Sequence, residues 1–322
     1  MNDDIIYSIV VPLYNEELVI EETYSQLKSV MDSTGEDYEI IFINDGSSDG
    51  TRIKTEKICR KDKNIELINF SRNFGHQCAI TAGMEYASGE AIVVIDADLQ
   101  DPPDVILRMI EKWKEGYDVV YGKRAQRKGE TFFKKLTAKT FYRLLDSITS
   151  IKIPVDTGDF RLIDRKVCDT LKSLPERNRY VRGLVSWVGY RQTSVEFIRH
   201  ERLAGDSKYP LKKMLKLALD GITSFSYKPL LLSGYLGCIS LFIGIICLIV
   251  IIIKHMSDNT GIINFGLIIG IDFIMFGIIL ACIGIIGQYI GRIFDESKNR
   301  PNYIIESIIN KNKERDKNEF SN

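Results

Sequence analysis

The chain has 322 residues, 43 basic and 43 acidic side chains and 45% hydrophobic content, room for one full globular domain and a further element. Its zero net charge gives no reason to expect nucleic acid as a partner. The six cysteines (Cys59, Cys78, Cys168, Cys238, Cys247, Cys282) have no paired spacing, and three sit in apolar runs; they read as small hydrophobes in a reducing compartment.

From Met1 to about Tyr227 charged and apolar residues mix as in a soluble domain. With Asp3 and Asp4 where a secretory signal would be basic, this part is expected to stay in the cytoplasm. Short β-branched runs over Ser8–Val11, Glu39–Asn44, Ile65–Asn69, Ala91–Ile95 and Asp118–Tyr121 predict strands, and helices are expected from near Glu16, Thr51, His76 and Pro103. Strands alternating with helices imply an α/β fold with a mostly parallel sheet covered on both faces, and such sheets bind ligands beyond the carboxyl ends of their strands.

Polar and acidic segments follow three of these strands: Tyr14-Asn15-Glu16-Glu17, Asp45-Gly46-Ser47-Ser48-Asp49-Gly50, and Asp96-Ala97-Asp98-Leu99-Gln100-Asp101. Asp96 and Asp98, two carboxylates at i and i+2 after a buried strand, suit Mg²⁺ or Mn²⁺, hard cations that complete their shells with substrate phosphates. A solvated turn is the plainer reading of a bare Asp-X-Asp; the position after a core strand favours the site. Asp49 is assigned mainly to capping the next helix, while Asp45 at the strand end can accept hydrogen bonds from a nucleobase or ribose. His76 is read as a helix-start or nucleotide-pocket residue, since no spacing supports a zinc site.

Between Pro229 and Phe294 the sequence is almost uncharged and holds two apolar runs, each long enough for a hydrocarbon core that needs ~20 helical residues. The expected layout is a soluble domain over 1–205, an interfacial amphipathic helix region over 206–228, two transmembrane helices within 229–294 (about 230–253 and 268–291), and a cytoplasmic tail over 295–322. Lys212, Lys213, Lys216 and Lys228 before the first run and Arg292, Lys298 and Arg300 after the second place both termini in the cytoplasm. The final stretch from Lys311 is charged and expected to be disordered.

Val11-Pro12-Leu13-Tyr14-Asn15-Glu16-Glu17, the Asp45 turn, Ser71-Arg72-Asn73-Phe74-Gly75 and Asp96-Ala97-Asp98-Leu99-Gln100-Asp101-Pro102-Pro103 occur in one order. In that order the chain resembles family 2 glycosyltransferases of GT-A fold, near dolichyl-phosphate mannose synthase and nearer to bacterial polyprenyl-phosphate (bactoprenol) glucosyltransferases. Gly205-Asp206-Ser207-Lys208-Tyr209-Pro210, the two apolar runs, Gly291-Arg292 and Arg300-Pro301 extend the resemblance to about Tyr303.

The resemblance implies that Pro12, Tyr14, Glu16 and Asp45 hold the nucleoside of a nucleotide diphosphate sugar, and that Asp96, Asp98 and Gln100 form the metal and diphosphate site. Asp159 falls where the family places its catalytic carboxylate. A dianionic acceptor phosphate needs cations, for which Arg124, Arg202 and Lys208, with Ser207, are the candidates, and Arg199 and Lys123 the weaker ones. The implied reaction is inverting transfer of one sugar, UDP-glucose first and UDP-N-acetylglucosamine next, to polyprenyl (undecaprenyl) phosphate at the cytoplasmic face of the plasma membrane. A homo-oligomer is expected, together with dependence on a separate flippase and an outer-face transferase. A processive polysaccharide synthase is disfavoured because the chain lacks a Gln-X-X-Arg-Trp motif, for which the segment from Arg182 to Trp187 does not substitute.

Overall fold

Strands form where β-branched runs can be buried on both faces, and in β1 (Tyr7–Leu13), β2 (Tyr38–Asn44) and β3 (Ile65–Phe70) every residue is buried. The computed structural model describes residues 5–125, 154, 157–177, 179–200, 228–257 and 265–310. The remaining strands are β4 (Ala91–Val94), β5 (Val119–Arg124), β6 (Thr157–Asp164), β7 (Gln192–Phe197) and β8 (Ile305–Asn310). They make one eight-stranded sheet in the order β7-β5-β6-β4-β1-β2-β3-β8. β4, β1, β2 and β3 run parallel, β5 and β7 are parallel to each other, and β6 and β8 pair antiparallel to their neighbours, giving a mixed, mostly parallel sheet.

The crossovers are α1 (Ile20–Asp32), α2 (Thr51–Lys61), α3 (His76–Tyr86) and α4 (Val105–Lys114), followed later by α5 (Arg165–Ser173) and α6 (Val181–Trp187). Amphipathic spacing seats α1 through Ile20, Leu27 and Met31 against Tyr7, Ile9 and Phe42 in one core cluster. α3 packs tightly on the sheet at Gly83. A Cβ on Gly83 would stand 2.2 Å from Val10 Cγ1, so a side chain there would push the helix outward.

Five expected strands and the starts of α2 and α3 fall where the sequence places them. α1 begins at Ile20 rather than near Glu16, because residues 14–17 are held in a turn by the loop after β2. The largest departure is β8. The sequence reading assigns residues 295–322 to a tail, yet residues 305–310 pair with β3, with Ile308 opposite Ile68 and Ile309 opposite Leu67. Arg52 also reaches Glu306 at 3.1 Å.

The described residues divide into two units, one holding all eight strands and the other the helices between residues 228 and 300. In the second unit, α7 (Lys228–Ser257) and α8 (Phe265–Ser297) touch through Ser240 Oγ to Met275 Sδ at 2.8 Å and Cys282 Sγ to the Ser233 carbonyl at 3.6 Å. Among the described residues one stretch, Ile274–Ser297, has the length and hydropathy to cross a membrane, and Ser233–Ile246 is a shorter apolar stretch. The interfacial region expected over 206–228 lies, except for Lys228, outside the described residues.

Candidate active site

The cleft opens where β1 and β4 part. Pairing between them ends at Val10 and Val94, the Val10 carbonyl accepts from Ile95 N, and two residues on stands Pro12, which has no N–H to continue that ladder. Beyond it the chain is fixed by loop-to-loop bonds. Asn15, at φ 53°, accepts from Ser48 N at 2.8 Å and donates its own N–H to Ser47 Oγ; Glu16 N reaches Thr51 Oγ1 at 2.8 Å. Tyr14 is 41% exposed beside this turn. Asp49 accepts from Thr51 N and Oγ1 at 3.0 and 2.6 Å; the N-cap position is Gly50, so Asp49 braces the turn into α2 from one residue earlier rather than capping the helix as expected.

Asp45 is buried at the end of β2. Its carboxylate accepts from Phe74 N at 2.6 Å and Gly75 N at 3.0 Å, and its carbonyl accepts from Asn73 Nδ2. Burial pushes this carboxyl above its ordinary range, and the two amides oppose the rise. The next residue must be glycine: Gly46 has φ +65°, and a Cβ there would lie 2.5 Å from Arg72 C and Asn73 N. The Asp45 turn and the segment from Arg72 to Gly75 are thereby locked together.

Past β4, Leu99 is buried with φ 54°, a left-handed conformation that costs a branched side chain energy and aims its neighbours Asp98 and Gln100. Thr23 on α1 anchors this loop by donating to the Ala97 carbonyl at 2.7 Å, and Asp98 accepts from Gln100 N at 3.2 Å. Asp159, near the start of β6, is 5% exposed. Arg182 of α6 donates to it with Nε at 2.7 Å and Nη2 at 2.9 Å, a two-point grip. His76 Nε2 stands 3.1 Å from Asp159 Oδ2 and 3.6 Å from Asp96 Oδ1.

Burial alone would raise the Asp159 carboxyl, but Arg182 and His76 outweigh it and hold the group well below the carboxylate range. Burial lowers the His76 imidazole, and its two carboxylate neighbours overcome that and lift it to about 9. Arg161, two residues on, makes no ion pair with Asp159. Arg161 is buried and spends its guanidinium on the carbonyls of Gly158 at 2.9 Å and Asp159 at 3.3 Å.

Arg124, at the end of β5, brings Nη2 beside Gly158, where it would lie 3.1 Å from a Cβ at that position. Asp101 is 1% exposed, Arg199 Nε lies 3.3 Å from its Oδ1, and neither Asp101 oxygen has a hydrogen bond among the described residues. Burial pushes the Asp101 carboxyl up to about 6. His200 N donates to the Gln100 carbonyl at 2.9 Å, which ties the end of β7 to the Asp96–Asp101 loop. Arg124 and Arg199 thus share one corner of the cleft, whereas Lys123 is paired with Glu196 at 2.8 Å across the β5–β7 edge. Arg202, Ser207 and Lys208 lie outside the described residues.

Asp96 has the electrostatics of a cation site. Burial raises its carboxyl and Asp159 and Asp98 add to the rise, while His76 and Arg182 oppose it, so three carboxylates outnumber the two cations here. Hard oxygen donors from Asp96, Asp98 and Gln100 fit Mg²⁺ or Mn²⁺. Among the described residues no set of three or more His, Cys, Asp or Glu side chains converges as a ready metal cage. Such a site would be completed by substrate oxygens.

Sequence reasoning missed Arg182 and understated His76. Arg182 lies 23 residues beyond Asp159 with no motif around it, and only the packing of α6 brings it in. His76 carried one usable signal, its place directly after Phe74-Gly75 at a helix start.

Comparison with known proteins agrees with this architecture. The family described as Glycosyl transferase family 2 matches residues 8–172. An uncharacterized glycosyltransferase, YkcC of Bacillus subtilis, is 59% identical over 95% of this chain and 95% of its own. The bactoprenol glucosyl transferase of Shigella phage SfV is 42% identical over 93% of this chain and 98% of its own. A solved structure of glucosyl-3-phosphoglycerate synthase from Mycobacterium tuberculosis with Mn²⁺, UDP and glucosyl-3-phosphoglycerate aligns over 68% of this chain and 77% of its own, at TM-score 0.46 and 20% identity. With the family's segment spanning the cleft and relatives aligned from end to end, the chain belongs to glycosyl transferase family 2 and is a glycosyltransferase.

Proposed function

We propose that this enzyme transfers a single sugar, with inversion, from a nucleotide diphosphate sugar to polyprenyl (undecaprenyl) phosphate at the cytoplasmic face of the membrane. The observation that carries the chemistry is the convergence of Asp96, Asp98 and Asp159 at one end of β4 and β6, with His76 between Asp96 and Asp159. The acceptor is suggested by relatives named bactoprenol glucosyl transferase, whose likeness covers 93% of the chain and so includes α7 and α8. UDP-glucose is the first donor to test and UDP-N-acetylglucosamine the second.

In this reading Pro12, Tyr14, Glu16 and Asp45 surround the nucleoside. Asp96, Asp98 and Gln100 would hold Mg²⁺ or Mn²⁺, which when bound offsets the charge on the departing diphosphate. An acceptor phosphate oxygen bonds to the anomeric carbon as the sugar–diphosphate bond breaks, and the diphosphate leaves with the bonding pair. No base is required, since a phosphate monoester with a second pKa near ~6 is already largely dianionic. That suits an Asp159 gripped by Arg182: it stays ionised, faces the positive charge that develops on the sugar, and fixes Arg182 and His76. Arg124, Arg199, Arg202, Ser207 and Lys208 would receive the acceptor phosphate, the first two beside the buried Asp101.

The membrane part is proposed as a two-helix hairpin made by α7 and α8, with both termini cytoplasmic. Pairing of β8 with β3 supports it, because a segment whose two ends meet in one sheet must cross a bilayer an even number of times. Two copies or more, a flippase and an outer-face transferase complete the proposal.

The test is incubation of purified protein with undecaprenyl phosphate, Mg²⁺ or Mn²⁺ and radiolabelled nucleotide sugars, counting label extracted into organic solvent. We expect label from UDP-glucose and its loss in Asp98→Ala by on the order of 10³-fold, roughly 4 kcal/mol of barrier. Absence of lipid label from every donor, with the nucleotide sugar still bound, would overturn the acceptor.

A further inference from the structure

The segment that follows α8 does more than end the chain. Tyr303 lies flat on Phe70 at the end of β3, ring centroids 4.9 Å apart and planes 15° from parallel. Phe70 in turn meets Phe74 edge to face at 5.7 Å, and the Arg72 guanidinium covers Phe74 at 4.1 Å. Ser71 N donates to the Ile304 carbonyl at 3.0 Å, and the Tyr303 hydroxyl donates to Glu85 at the far end of α3, near Arg179. Residues 70–75 are therefore gripped on one side by residues 303 and 304.

On their other side the same residues make the site. Phe74 and Gly75 present their amides to Asp45, Asn73 holds the Asp45 carbonyl, and His76, next in the chain, stands between Asp96 and Asp159. Without its stack Phe70 would lose the neighbour that fixes the loop's departure from β3, and the two amides would lose their aim at Asp45.

We propose that Tyr303 is a positioning residue for donor binding: it acts through Phe70 and the 71–75 loop to hold the Asp45 pocket in its nucleotide-receiving form. The family match ends at residue 172, so the chain completes its donor pocket with a residue 131 positions further on, beyond both long helices. This inference rests on Asp45 being the nucleoside residue.

The test uses the full-length protein in detergent micelles. UDP affinity is measured by calorimetry, sugar transfer by the lipid-extraction assay, and amide hydrogen exchange of residues 71–76 by mass spectrometry, for wild type, Tyr303→Ala, Tyr303→Leu, Tyr303→Phe and Ile308→Ala. Tyr303→Ala and Tyr303→Leu should weaken UDP by about tenfold, or roughly 1.4 kcal/mol, raise KM for the donor in step, and leave kcat within about twofold. Amides 71–76 should exchange faster in both. Tyr303→Phe, which keeps the stack, should restore wild-type behaviour, and Ile308→Ala, at an exposed position on the neighbouring strand β8, should match wild type.

Unchanged exchange at 71–76, or unchanged UDP affinity in Tyr303→Ala and Tyr303→Leu, would overturn the inference. Faster exchange in those variants with a wild type that binds no nucleoside diphosphate would instead overturn Asp45 as the nucleoside residue and leave the clamp standing.

Discussion

The two halves of the cleft hold their buried carboxylates by different means. Beyond β2, Asp45 is held by backbone amides of a loop from the adjacent strand, 2.6 to 3.0 Å away, with no ion pair to it among the described residues. At the end of β4 and the start of β6, Asp159 is held by the side chains of Arg182 and His76, drawn from two different helices. Amides give a fixed, neutral cradle suited to a group that should not change during turnover. Guanidinium and imidazole bring full charges, and these matter where charge moves, since a low-dielectric pocket magnifies each of them.

The contrast is broken most directly at Arg182. Arg182→Met strands a buried carboxylate and should cost about 3–5 kcal/mol of stability, read as a fall in melting temperature, with turnover down on the order of 100-fold. Adding Asp159→Asn should recover much of that stability and none of the turnover. If the double variant is no more stable than the single, the pair is not what holds this half together.

On the amide side the weakest point is the backbone. Gly46→Ala places a Cβ against Arg72 and Asn73 at a left-handed φ and should destabilise by about 1–3 kcal/mol, with donor binding lost alongside. Asp45→Asn keeps the shape but removes the charge that the two amides solvate; UDP affinity should fall about tenfold, roughly 1.4 kcal/mol, with kcat at saturating donor little changed. A kcat loss as large as that of Arg182→Met would erase the distinction between the halves.

The smallest effect expected is a pH dependence, measured on metal-free protein in chelator. His76 is raised from 6.5 to about 9 in the folded chain. Its contribution to stability is therefore fully present below 6.5 and lost as pH rises through about 9. Wild type should lose melting temperature across that window and His76→Gln should not. Asp101, raised from 3.8 to about 6, has the same sign, but its contribution is lost across a lower window, so the two are separable.

Much of the fold was legible because parallel strands are buried on both faces and announce themselves as short β-branched runs: β1 to β5 lie where such runs stand. β6 and β7 were not read. β6 carries Gly158, Asp159 and Arg161 among its apolar residues, and β7 is an edge strand with only Val195 and Phe197 buried. Of the candidate site, the segments at residues 14–17, 45–50 and 96–101 were legible as groups of polar residues after strands, and 71–75 only through the family resemblance. β8 was hidden because its pairing partner lies some 240 residues earlier and its pattern, Ile305 to Asn310, is too short to stand apart from a charged tail.

What the sequence determined by itself is the α/β class, the acidic residues at strand ends and the apolar character of the part beyond residue 228, since each depends on local spacing and composition. Only the tertiary structure decided that Arg182 rather than Arg161 grips Asp159, that His76 stands between two carboxylates, that Arg199 joins Arg124 beside Asp101, and that Tyr303 returns to Phe70. These are side-chain contacts between residues distant in the chain. No local pattern encodes them, because they follow from the sheet order that places β6 beside β4 and β8 beside β3.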